Sequence, residues 1–280
     1  MKHVRGGSSE TPRAGASPSG RRSQEWVDYE RIAPLYEEGR ALPAHVLARW
    51  GEAVRPYLPS VTRRVLDLGA GTGIFARAWP GWTRAAVVAV EPSAAMVLAG
   101  TRADPGTRFV RAVAEALPLR DGTADVVWIS TALHHFGDIH RAVAEVHRVL
   151  SPTGRVFVRT YAPGRTEVTW ADEFPGRAKW QARFHSEQEL GALFDTHGFD
   201  LVDVRDVLEW TETYADSARW VACMRHADSM LTALSDEEID AGLDVLRSQP
   251  SRVARIELTL FVFGRPAPHP VRERCAGPLP

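Results

Sequence analysis

The 280-residue chain has only two cysteines, Cys223 and Cys275. The second lies in a proline-rich tail, so a disulfide framework is excluded and a reducing, cytoplasmic compartment is expected. Charge of neither sign is in excess: Lys+Arg 34 against Asp+Glu 35 leave a formal net charge of -1. That balance argues against nucleic acid as the main partner, because gripping phosphates requires a basic face. No apolar run approaches the ~20 residues of a membrane span, so no membrane partner is expected. The pair Arg21–Arg22 is followed by polar Ser23, Gln24 and Glu25, where an export signal would turn apolar. The spacing of His140 and His147 fits no ligand motif and no cysteine joins them, so no metal is expected. There is no internal repeat. What remains is the ordinary balance of a soluble globular chain, 44% hydrophobic and 25% charged, long enough to bury a full core.

Residues 1–24 are mostly Gly, Ser, Pro and Arg. Such a stretch cannot offset its own ordering entropy and is expected to be a disordered tail. Residues 265–280 are proline-rich and lose every period, a second tail. Between them, residues 25–264 read as one domain: a helical cap over 25–60, a first half over 61–160 and a second over 161–264. Helical periodicity covers residues 23–38 and 43–57, the latter with Val46, Leu47, Trp50 and Val54 on one face. Strands are then predicted at 64–68, 86–90, 108–111, 124–129 and 155–159, the last introduced by a turn at 151–154. Helices follow from 73, from 92–93 and over 138–150. Beyond them come a helix at 187–197 closed by Gly198, a strand at 199–208, helices at 214–234 and 236–247, and a strand at 255–263. Short apolar strands alternating with helices predict an α/β fold, a doubly wound, mostly parallel seven-stranded sheet with helices on both faces.

The chemistry starts at the end of the first strand, where Asp67, Gly69, Gly71 and Gly73 alternate with other residues. Glycines there let backbone approach a ligand, and the helix beyond supplies free amides. Glu91 ends the second strand about 20 residues on, where a carboxylate can accept both ribose hydroxyls of a nucleoside. A dinucleotide fingerprint needs its third glycine at position 74, which is Ile74.

Acid-x-Gly-x-Gly-x-Gly instead resembles the first motif of class I S-adenosylmethionine-dependent methyltransferases. Residues 88–93, ending Glu91-Pro92-Ser93, resemble that family's second-strand motif, and residues 113–118 its adenine-contacting loop. Residues 132–136, containing His134 and His135, and residues 148–155 resemble the small-molecule "type 11" group. Residues 29–40 resemble its N-terminal cap helix. The resemblance implies a Rossmann-like fold with that cap, a lid insertion after the fifth strand, and S-adenosylmethionine as cofactor.

By that resemblance Gly69, Ala70, Gly71 and Gly73 face the methionine and ribose portions, with Glu91 and Pro92 at the ribose. Asp67 lies beneath the loop and reaches the cofactor's amino group. Tyr36 and Arg40 reach its carboxylate, which suits a guanidinium. Ala114 and Glu115 flank adenine, and Ser130 completes the wall. Many relatives have aspartate where this chain has Val113, which leaves the adenine amine a backbone carbonyl or Glu115. His134 and His135 follow the fourth strand; histidine suits deprotonation of an acceptor, and a packed, loop-holding role stands beside that reading. The segment after the fifth strand carries Tyr161, Trp170 and Trp180, expected to bind an apolar or flat acceptor, with Asp172, Glu173, Phe174 and Phe184. Trp210 and Trp220 either line the same cavity or fill core.

Three functions follow. The first is methyl transfer to a small molecule, in bacterial specialised metabolism such as antibiotic biosynthesis, by a monomer or homodimer. The second, macromolecule methylation, lacks its signature, since Ile129–Ala132 stand where amino-methylating nucleic-acid enzymes resemble one another in an Asn/Asp-Pro-Pro-aromatic motif. The third is a cyclase, isomerase or binding protein on the same scaffold.

Overall fold

The computed structural model describes residues 39–226, 228 and 230–266. The expected tail at 1–24, the helix at 23–38 with Tyr36, and residues 267–280 lie outside the described residues. Seven strands form one sheet, β1 (Arg64–Leu68), β2 (Ala86–Val90), β3 (Phe109–Val110), β4 (Ala124–Ser130), β5 (Leu150–Thr160), β6 (Asp200–Thr213) and β7 (Val253–Gly264). Their order is β3-β2-β1-β4-β5-β7-β6. β1 to β5 pair in parallel, and β7 inserts antiparallel between β5 and β6. The chain leaves β1 toward β2 on one side and returns at β4 on the other, so a crevice opens beyond the carboxyl ends of β1 and β4.

The central strands are apolar throughout because both faces are covered. One face packs Trp50, Trp79, Trp128 and Phe157; the other packs Leu66, Val127, Val143, Phe194 and Phe263. Helices α1 (Ala44–Val54), α2 (Ile74–Trp82), α3 (Ala94–Ala103) and α4 (Ile139–Val149) precede or follow the parallel strands. α4 buries Ala142, Val143, Val146 and Val149, one helical face, and Asp138 caps the amide of Arg141 at 3.0 Å. Short α5 (Arg177–Gln181), then α6 (Glu187–Thr196), α7 (Tyr214–Met224) and α8 (Asp236–Ser248) complete the fold. The last three each open on a capping box, from Ser186, Thr213 and Ser235.

Three expectations need correction. The turn expected at 151–154 is drawn into β5, because Leu150 already pairs with Ala124 before a register shift. β6 runs on to Thr213, since its pairing with β7 continues past a bulge between Leu208 and Trp210 to Val253. The helix expected to reach Leu234 stops at Met224. There the buried Asp228 carboxylate takes the amides of Met230 (2.7 Å) and Leu231 (3.2 Å), starting a separate 3-10 turn at Leu231–Ala233. The segment after β5 holds a 3-10 turn, Thr169–Glu173, and α5, and Val168 bridges to Ile256 on β7.

Candidate cofactor and acceptor site

Strand β1 ends in a loop clipped to β2: the amides of Gly69 and Ala70 donate to Val90 O at 2.9 and 3.1 Å. Gly69 has φ +71°, and a Cβ there would stand 2.5 Å from the Ala132 methyl, so only glycine fits between the loop and the end of β4. Gly73 also has positive φ, and a Cβ on it would meet the Phe109 ring at 2.8 Å. Glu91 holds the loop from the other side. Its Oε2 accepts the Gly71 amide and its Oε1 the Ser93 amide, both at 2.9 Å.

These elements enclose a cavity of about 360 Å³. Of the sequence-predicted residues its wall brings together Gly69, Gly71, Glu91, Pro92, Ala114, Glu115, Ser130 and His135. Val113 and Thr131 also line it. Ala70 and Gly73 shape the loop behind the wall through the Gly73 amide donating to Ala70 O at 2.8 Å. Glu115 is already engaged, its Oε1 accepting the Asp138 amide (3.0 Å) and its carbonyl accepting Arg141 Nε (3.0 Å). Asp67 lies beneath the loop, 2% exposed, with Oδ2 lacking a hydrogen-bond partner among the described residues. Burial pushes its carboxyl up to about 7, against a backbone hydrogen bond from Ala76, and the nearby Glu91 charge adds to the rise. Arg40 is ion-paired with buried Asp228 rather than lining the cavity.

The cavity suits a nucleoside with a charged tail. Leu68, Val90, Met96, Ala114 and Phe136 offer apolar wall, Glu91 offers a carboxylate, and the glycine cradle would be filled by any Cβ at Gly69. Bound there, S-adenosylmethionine would supply an electrophilic methyl group on a sulfonium.

Beyond β4, His134 and His135 sit in a 3-10 turn, Leu133–His135, with rings 3.9 Å apart. Both ring nitrogens of His134 are sealed from solvent and unpartnered among the described residues. Burial first, then the His135, Arg40, Arg183 and His185 charges, holds His134 well below the ordinary histidine range. Burial, then Arg40 and Arg183, brings His135 down to about 4. Both imidazoles are therefore held in the neutral form at pH 7. Phe184 covers His134 at 4.4 Å and packs on Tyr161 (5.5 Å) and Trp180 (5.8 Å). Trp170 stands apart against Phe174 and Trp220. Tyr161, Trp170 and Trp180 are all buried, and Trp210 and Trp220 pack on the same core.

Sequence reasoning missed Arg159 and Glu209. Arg159 interrupts the apolar run that ends β5, which was the available signal, whereas Glu209 is one of several charges along β6 and carried none. Among the described residues no group of three His, Cys, Asp or Glu could hold a metal, and no helix is long and apolar enough to cross a membrane.

Residues 66–158 match the methyltransferase domain family. Over 237 residues the chain is 32% identical to malonyl-[acyl-carrier protein] O-methyltransferase of Halorhodospira halophila, covering 82% of this chain and 76% of that one. The chain is a class I S-adenosylmethionine-dependent methyltransferase of the type 11 group. This methyltransferase is also 36% identical to demethylmenaquinone methyltransferase of Thermus thermophilus, over 48% of this chain and 64% of the relative. Among solved structures the [4+2]-cyclase SpnF superposes with TM-score 0.59 at 18% identity, covering 86% of this chain and 95% of that one. YcgJ of Bacillus subtilis superposes with TM-score 0.54 at 24% identity, covering 80% and 100%. A Haemonchus contortus N-methyltransferase in complex with S-adenosylhomocysteine gives 0.55 at 16%, covering 85% and 58%. At these identities the structural likenesses show the fold, and the sequence relatives carry the family.

Proposed function

We propose that this methyltransferase moves the methyl group to a small-molecule acceptor that enters between His135 and the aromatic segment after β5. The observation that supports this reading is the position of His135. It lines the cofactor cavity and also stacks on His134, which touches Phe184, so one path leads from the cofactor to a set of aromatic rings. In-line displacement at a sulfonium needs alignment of the acceptor above all. Tyr161, Trp180 and Phe184 supply a face for that, and neutral His135 accepts a hydrogen bond from an acceptor hydroxyl or amine, with the sealed His134 ring stacked behind it. With its imidazole near 4, His135 orients the acceptor more than it draws off its proton. Glu91 holds the ribose hydroxyls, Ala114 flanks adenine, and Asp67 answers the cofactor's amino group. A cytoplasmic monomer or homodimer acting in specialised metabolism completes the reading. The test is S-adenosylhomocysteine release from S-adenosylmethionine across panels of small phenols, carboxylates and amines, beside tRNA and protein acceptors. Turnover confined to tRNA or protein would overturn the small-molecule reading.

A further inference from the structure

Three unusual features meet at the end of β4. The first is Thr131, with φ 48° the only non-glycine residue in the left-handed region among those described. The second is Arg159 on β5, a guanidinium 6% exposed. The third is the β6 bulge, whose extra residue is Glu209, itself 1% exposed. Arg159 reaches past β7 to pair with Glu209, through Nε at 3.0 Å and through Nη2. Trp50 Nε1 donates to the same carboxylate oxygen at 2.7 Å. Arg49 on α1 donates to the bulge carbonyls of Leu208 (2.7 Å) and Glu209 (2.8 Å). The guanidinium lies over the rings of Trp50 and Phe75 at 5.1 and 5.2 Å. Its remaining arm, Nη1, donates to Ser130 Oγ at 2.9 Å, and its backbone carbonyl accepts the Thr131 amide at 2.7 Å.

None of this is required to pair β4 with β5. A buried ion pair is commonly no more stabilising than apolar side chains of the same volume, a bulge re-aims a side chain at a local loss of pairing, and a left-handed threonine is strained. All three converge on Ser130 and Thr131, which line the cofactor cavity. Thr131 in turn sets Ala132, whose methyl occupies the space beside Gly69. We propose that Arg159 is a positioning residue for cofactor binding. Oriented by Glu209 and Trp50, it holds Ser130 and Thr131 so that the end of β4 meets the glycine loop in its binding pose. This rests on the assignment of the cavity to the cofactor.

The test is calorimetric titration of the full chain with S-adenosylhomocysteine, with melting of the ligand-free protein alongside. Arg159→Lys keeps the charge but loses the planar fork and should weaken binding at least tenfold, with Glu209→Gln between it and wild type. Thr131→Gly relieves the strain but frees the backbone. It should weaken binding three- to tenfold with a ligand-free melting temperature no lower than wild type, a split that a merely structural role would not produce. Wild-type affinity in Thr131→Gly overturns the proposal even where Arg159→Lys binds poorly or fails to fold. A lowered melting temperature in Thr131→Gly overturns it too. If wild type itself does not bind S-adenosylhomocysteine, the fault lies in the cofactor assignment.

Discussion

Replacing Asp67 by asparagine should raise stability relative to wild type progressively as pH rises from acid to alkaline. The folded carboxyl stands at about 7 against an ordinary 3.8, with burial as the leading cause. Below the ordinary value both folded and unfolded carboxyls are protonated, and nothing is lost. Between the two values the folded chain holds a proton that the unfolded chain has released, so stability falls as pH rises. Above about 7 the folded chain carries a buried charge, at a cost of about 4 kcal/mol for a rise of about three pKa units. Asparagine never ionises. The stability difference between variant and wild type should therefore grow by about 4 kcal/mol from about pH 4 to about pH 8. Any fixed penalty for burying the amide is the same at every pH and drops out. The lowered His134 and His135 act in the opposite sense, but they are common to both proteins and cancel. Urea denaturation of the pair across that range measures the difference. A difference that stays flat within about 0.5 kcal/mol would refute the argument that the unpartnered Oδ2 is held in a low-dielectric pocket.

Glu91→Ala removes the acceptor of the Gly71 and Ser93 amides together with the proposed ribose contact, and should weaken S-adenosylhomocysteine binding by about 1–3 kcal/mol. Unchanged calorimetric affinity would remove Glu91 from the ribose. Gly69→Ala forces a methyl to 2.5 Å from Ala132 at φ +71°, so both the melting temperature and the affinity should fall, the latter by more than about tenfold. Binding within about threefold of wild type would mean that the loop yields. His135 is depressed from 6.5 to about 4, so its contribution is full above 6.5 and is lost as pH falls toward 4. Relative to His135→Gln, wild type should lose about 3 kcal/mol across that interval, and parallel denaturation curves would contradict this. Trp180→Ala should reduce acceptor turnover while leaving cofactor affinity within about threefold. A parallel loss of cofactor affinity would assign Trp180 to the common core.

The fold was legible because its signals are local. An apolar strand such as β4, the glycines after β1 and an amphipathic helix such as α4 each state their conformation within a dozen residues, and the alternation of strands and helices then leaves few topologies. The cavity wall was legible for the same reason: Gly69, Gly71 and Glu91 stand at the ends of neighbouring strands. Where the structure departs from the reading, contacts that periodicity does not record are responsible. Arg40 is engaged by Asp228, which lies 188 residues away, and the same aspartate starts the turn after the seventh helix. Periodicity through residues 214–234 carries no record of that cap. Arg159 and Glu209 look like two surface charges until the bulge turns one toward the other across β7. Thr131 is an ordinary threonine in sequence, and its left-handed backbone stands where the end of β4 is tied to the Arg159 carbonyl and followed by Ala132 beside Gly69. Local propensity opposes the left-handed backbone at Thr131. It persists where tertiary contacts outweigh that propensity, and the opposition is the physical reason to look for function at the end of β4.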